Sequence, residues 1–265
     1  MTDPPTKVVI LIPSYNTGGI LYSVVLSALE QHPDVWLLVD GSDDRSHESL
    51  RKLEPIYSGF RLIEFSSNRG KGATLLEGAK LAKDSGFTHC ITMDADGQHP
   101  ASFLPTLVDL AKRKPETLIM GRPVFDNTVP KARLWGRKLT VGMTDFETAF
   151  YGLGDTLYGF RVYPIHPFIR AFSQTRFARG YDFDPEIAVR IFWLGVRPVQ
   201  INIPVQYLTA EEGGISHFHY LRDNLKLTFL HFRLVPEYLF VRYQKVQKMV
   251  KKWRQNSSIA RPQAV

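Results

Sequence analysis

The chain has 265 residues, 44% of them hydrophobic and 12% aromatic, with 33 Lys and Arg against 26 Asp and Glu and a single Cys. That length can bury a large core, the aromatic content excludes wholesale disorder, and one Cys excludes an internal disulfide or a thiolate zinc cluster. The net charge of +7 is local, because nine cations and two acids lie between Arg222 and Arg254 and the remaining residues balance; with no recognised RNA or DNA motif beside them, these tail cations do not make a nucleic-acid-binding module.

Taken in chain order, the start MTDPPTK has no basic segment ahead of an apolar run, so no signal peptide is read and a cytosolic protein is expected. Residues 8–29 carry no charged side chain, a length that resembles a membrane span. Pro13–Gly19 places dense turn chemistry in its middle, so it reads instead as strand 8–12, loop, and helix 20–29. Strand-like runs follow at 35–39, 60–65, 89–93 and 117–120, with helical stretches such as 73–82 and 102–112 between them. Strands alternating with helices predict an α/β fold: a mainly parallel sheet with helices on both faces. Beyond Gly121 the pattern gives helix 131–151, a strand-like stretch 156–163, helix 185–194, strand 199–207 and a basic, aromatic-rich helical stretch from Leu225 to Val250. The expected organisation is a catalytic unit over 1–220 and a C-terminal extension with a loose tail over 221–265.

Ligands of such sheets bind at the carboxyl ends of the strands, where four loops of this chain fall. Asp94-Ala95-Asp96-Gly97-Gln98-His99-Pro100 offers two carboxylates and a carboxamide, an oxygen-rich set suited to Mg²⁺ or Mn²⁺, and Ala95 is small enough for a ligand to approach the backbone. Alone, the same residues also read as an Asp-Gly turn before a helix. Asp40 ends a strand and can accept from a base or ribose, while Asp43 and Asp44 read as cap or turn residues. Asn68-Arg69-Gly70-Lys71-Gly72 puts two cations and two glycines where a phosphate would lie, without full phosphate-loop spacing. Arg122 is a candidate diphosphate partner.

In order, IPSYN, VDGSDDRS, NRGKGAT, DADGQHP, GRP, DTLYGFRVYP, YDFDPEIAVR and GGISHF resemble a family 2 glycosyltransferase of the GT-A fold over nearly the whole chain. DADGQHP with GFRVYP is similar to the dolichol-phosphate mannose synthase branch, and VPKARLWGRKLT with SHFHYLRDNL to bacterial enzymes found with aryl-polyene or lipid biosynthesis genes. The resemblance implies a nucleotide-sugar donor whose base is lined by Pro13, Tyr15 and Asp40, with Arg69 or Lys71 nearby. It implies Asp94 toward ribose and metal, Asp96 and Gln98 on the metal, and Arg122 on leaving-group charge. Ser216 and His217, beside two glycines, would touch the diphosphate from a closing loop; a plain turn is the other reading. Val39 stands where many relatives have Asp, and Thr17 where the polyprenyl-phosphate branch often has Glu.

The implied activity is metal-dependent, inverting sugar transfer to a polyprenyl phosphate or another lipid. The alternatives are a hydroxyl acceptor on a polyene, glycolipid or saccharide, or a non-catalytic nucleotide-sugar binder. A hydroxyl acceptor needs a carboxylate base, and Asp155, Asp184 and Glu186 compete for that role. The other reading of Asp184-Pro185-Glu186 is a helix start, with cap, Pro and first-turn acid. The cationic, aromatic C-terminal helix is too polar to span, and either lies on the inner face of the cytoplasmic membrane as a peripheral anchor or packs its first half on the catalytic unit.

Overall fold

A computed structural model describes residues 5–125, 131–180, 182–205 and 220–259. The chain opens with strand β1 (Val8–Ser14), helix α1 (Ile20–Gln31), β2 (Val35–Asp40) and β3 (Phe60–Phe65), then α2 (Lys71–Asp84) and β4 (His89–Thr92). It continues with α3 (Leu104–Arg113), β5 (Thr117–Val124), α4 (Lys131–Glu147), β6 (Arg161–Pro164) and α5 (Ile165–Ser173). Helix α6 (Phe183–Trp193), β7 (Arg197–Pro204) and the 40-residue α7 (Tyr220–Ile259) complete it. The seven strands form one sheet in the order β3-β2-β1-β4-β6-β5-β7, in which β6 alone runs antiparallel to its neighbours.

Strand alternation explains the two cores. On β1, Val8, Ile10 and Ile12 join one cluster with α1 and α3, while Val9 and Leu11 join the other with α2, α5 and α6. A strand buried on both faces needs an unbroken apolar run, which is why residues 8–12 look membrane-like in isolation. Strand order reverses at β1: β2 lies on one side and β4 on the other. The loops after β1 and β4 therefore part at this point and leave a crevice, as in other open sheets.

The predicted strand at 156–163 shortens to β6, because 156–157 form a turn and 158–160 an irregular stretch ahead of it. Helix α5 lay outside the predicted elements. It follows β6 directly, and Pro167 suggests a break, yet Pro is tolerated in a first helical turn. The C-terminal extension is continuous with the core along its first half. Leu227, Leu230, Leu234 and Tyr238 are buried on α7, and the three leucines belong to the α2–α5–α6 cluster. No helix among the described residues is long and apolar enough to cross a membrane.

Candidate active site

Lys71 opens α2, and its helix can begin there because Gly70 adopts φ +86°. Asp40 fixes this loop: its two carboxylate oxygens accept from the backbone N–H groups of Arg69 and Gly70 at 2.9 and 2.8 Å. In this arrangement Asp40 holds the loop that carries Lys71, rather than standing open toward a base as the sequence suggested. The β1 and β2 loops are also laced together. Asn16 Oδ1 accepts from Asp43 N–H at 3.0 Å, and Gly18 N–H donates to Asp44 at 2.8 Å. Tyr15 is exposed at this rim and Pro13 half-buried at the end of β1.

From the α2 start, the Lys71 ammonium bridges two carboxylates, Asp94 Oδ1 at 2.7 Å and Asp184 Oδ2 at 2.8 Å. Burial works against the charge on Lys71, but Asp184 and Asp94 outweigh it and hold the ammonium above its ordinary pKa. Burial likewise pushes Asp94 up, and the Lys71 charge reverses the shift, so its carboxyl lies below the usual range. Among the described residues no cation pairs directly with Asp96, and Lys71 acts on it only from farther off. Burial and the neighbouring Asp94 charge push its carboxyl up to about 6, so of the two part-buried carboxylates it is Asp96 whose charge is under-compensated.

A neutral histidine supports this loop. Burial pushes His99 down to about 4, its Nδ1 accepts from Asp94 N–H at 2.9 Å, and its ring stacks on Phe160. Opposite, Gly159 passes so close that a Cβ would lie 2.7 Å from the Lys71 ammonium. The Gly159 carbonyl is held by Thr92 Oγ1 at 2.5 Å. Arg161, fully buried, donates to the carbonyls of Thr156, Tyr158 and Asp184 and so ties the 156–160 bend to the first turn of α6. Helix α6 starts at Phe183, with Asp184 and Glu186 as first-turn acids and Asp182 before them, accepting from the backbone of Ala178 and Gly180.

The structure thus brings together Lys71, Asp94, Asp96 and Asp184, and separates the other candidates. Asp155 is held by Arg137, whose Nε lies 2.6 Å from Oδ2, and by the N–H of Leu157. Glu186 is fully buried between Arg190 and Arg233, 2.8 and 2.7 Å away. Burial pushes its carboxyl up, yet the bonds from Arg233, Thr175 and Arg190 bring it below its ordinary value. It is placed as a counter-ion between helices, not as an open base. Ala95 is buried, and Arg122 is exposed at the carboxyl end of β5. Gln98 donates its backbone N–H to Asp96 Oδ1 at 3.0 Å. Ser216 and His217 lie outside the described residues. Sequence reasoning passed over Arg161, Arg137 and His99; Arg137 meets Asp155 18 residues on and Arg161 the Asp184 carbonyl 23 residues on, while His99 lies only five residues from the Asp94 N–H it accepts from.

A mostly parallel sheet whose order reverses beside an acidic strand-end loop is consistent with the GT-A class of sugar-transferase fold. The model of glycosyl transferase family 2 matches residues 9–177, and the chain belongs to that family: it is a glycosyltransferase. Among curated proteins, it is 27% identical over 223 residues to the polyprenol monophosphomannose synthase of Mycolicibacterium smegmatis, covering 80% of this chain and 81% of that enzyme. It is 28% identical to the dolichyl-phosphate beta-glucosyltransferase of Saccharomyces cerevisiae, over 75% of this chain and 66% of that one. Among solved structures it resembles glucosyl-3-phosphoglycerate synthase from Mycobacterium tuberculosis in complex with Mn²⁺, UDP-glucose and phosphoglyceric acid. The TM-score is 0.59 at 14% identity, over 88% of this chain and 79% of that one, a likeness of fold.

Proposed function

We propose that the chain moves a sugar from a nucleotide-sugar donor to a polyprenyl phosphate, with inversion at the anomeric carbon and with a divalent cation bound. One observation carries this reading: the carboxylates offered as base are already committed to cations, Asp184 to Lys71, Asp155 to Arg137, and Glu186 to Arg190 and Arg233. A hydroxyl acceptor needs a free base, and a retaining double displacement needs a free carboxylate nucleophile. A lipid phosphate is ionised at neutral pH and needs neither. Curated relatives named for polyprenol and dolichyl phosphates support the same acceptor class, and such an acceptor would bring the protein to the membrane surface.

Asp94 and Asp96 fit a divalent metal. Their like charges are unbalanced at Asp96, and their ligands are hard oxygens. Among the described residues no three His, Cys, Asp or Glu converge on one point. Two carboxylates plus donor phosphate oxygens are a usual set for Mg²⁺ or Mn²⁺. Bound there, the cation would supply Lewis-acid stabilisation of the departing diphosphate. The protein's own groups do the rest. Lys71 holds Asp94 and Asp184 in place, the neutral His99 fixes the Asp94 backbone, and Gly159 leaves the crevice open. Arg122, exposed at a neighbouring strand end, is available to the leaving group's charge.

The test is a screen of UDP- and GDP-sugars with Mn²⁺ and either a polyprenyl phosphate or the corresponding polyprenol, reading nucleoside diphosphate release and product anomeric configuration. Release that requires metal, one donor and the phosphate is expected, with Asp96→Asn inactive but folded. Turnover on the polyprenol alone would overturn the acceptor assignment, and nucleotide binding without any turnover would overturn the enzyme reading.

A further inference from the structure

Helix α7 carries two apolar faces. Leu227, Leu230, Leu234 and Tyr238 form the inner one, buried against the catalytic core. Leu225, Phe229, Phe232, Leu239, Phe240 and Tyr243 are all exposed, Phe232 by 82%. At 100° per residue, this second set lies on the opposite side of the helix from the first. Isolated exposed apolar side chains need no explanation, but six along one helix face form a surface built to be covered. The patch has an edge on the domain: Phe177 packs edge-on against Phe229 at 5.8 Å and is itself half-exposed.

Spacings of 4, 3, 7 and 4 along 225, 229, 232, 239 and 243 are also those of a coiled-coil seam. Charge decides between a second helix and a lipid surface. From Tyr238 to Ile259 the helix has six Lys and Arg and no Asp or Glu. Two such helices side by side would set like charges together, without the complementary pairs that coiled-coil flanks require. An anionic bilayer surface complements both features, since cations seek its headgroups and aromatic rings its interface.

We propose that the outer face of α7 lies in the headgroup plane of an anionic phospholipid surface, with its aromatic side chains inserted and its inner face still packed on the core. Phe232 and Phe240 would be the deepest anchors, and Arg242 and the cations that follow it in sequence would supply the electrostatic attraction. The inference deepens the proposed function and rests on it only in sharing a lipid environment. Its assay contains no sugar donor, so failure of docking and failure of transfer are read separately.

The experiment is co-sedimentation of the full chain with phosphatidylcholine vesicles with and without phosphatidylglycerol. Binding to the anionic vesicles and weak binding to the neutral ones are expected, with loss at high salt. Phe232→Ser with Phe240→Ser should lower the partition coefficient about tenfold or more, at an unchanged thermal midpoint because both rings are exposed. Lys251→Gln with Arg254→Gln, the two cations that helical periodicity sets toward the outer face, should lower it on the order of fivefold per cation. Equal binding to neutral vesicles, or binding insensitive to the Phe pair, overturns the proposal. So does a dimer in light scattering that the Phe pair dissociates, which would assign the face to a second copy of the chain.

Discussion

Replacing Glu186 by Gln tests whether this carboxylate is a counter-ion or a base. The side chain is fully buried, its oxygens lie 2.8 Å from Arg190 and 2.7 Å from Arg233, and those two guanidiniums come from α6 and α7. Removing one partner of a buried pair costs about 3–5 kcal/mol, because the remaining charge stays desolvated. Arg190 keeps a second partner in Glu237 at 2.9 Å, so the loss should fall near the lower end, about 3 kcal/mol. For a chain of this size that lowers the unfolding midpoint by on the order of 10 °C.

The loss also has a pH signature. The folded-state pKa of Glu186 is depressed, so its contribution is present above the ordinary glutamate value of 4.5 and lost as pH falls through the folded value. Denaturant unfolding from pH 7 to pH 3 should therefore show a wild-type advantage that is flat near neutrality and shrinks below about 4.5. Turnover per folded molecule, measured well below the transition, should stay within about threefold of wild type, since a lost general base costs about a hundredfold or more. A stability gap under about 1 kcal/mol at pH 7, a gap that widens in acid, or a hundredfold loss of turnover would refute this account.

Three further outcomes follow from the geometry. Lys71→Met leaves Asp94 and Asp184 facing each other without their cation, and donor turnover should fall by about two orders of magnitude; activity within about threefold of wild type would remove Lys71 from the site. Gly159→Ala places a Cβ 2.7 Å from the Lys71 ammonium, so steady-state assays should show a drop of about tenfold with circular dichroism unchanged, and full activity would mean that the crevice yields freely. Leu230→Ala on the inner face of α7 should cost about 2–5 kcal/mol in denaturant unfolding, against about 0.5 kcal/mol or less for Phe232→Ala; equal costs would mean that both faces are packed.

The sheet was legible because its signals are local. The apolar run at Val8–Ile12, the turn residues after it and the helical spacing from Ile20 each sit within a few residues, and together they place β1, its loop and α1. The Asp94–Pro100 loop was legible for the same reason: its carboxylates are neighbours in the chain. What escaped was pairing across distance. Lys71 and Asp184 meet 113 residues apart, and Glu186 finds Arg233 47 residues on. Carboxylates at 155, 184 and 186 competed for one role while their cations were unknown, and Lys71 looked like a phosphate ligand while its two acids were unknown. Helix α5 was missed because Pro167 reads as a breaker until its place in the first turn is seen.

The seating of α7 has a consequence for how this enzyme can be divided. A chain ending before Tyr220 would strip Leu227, Leu230 and Leu234 from the second core cluster. It would also leave Glu186 without Arg233 and Glu147 without His231, now 2.8 Å away. Asp184 stands two residues before Glu186, so the helix that presents it to Lys71 would lose its seat against α7. The helix whose outer face is offered to other surfaces is thus also a wall of the catalytic core, and neither role can be exchanged without the other.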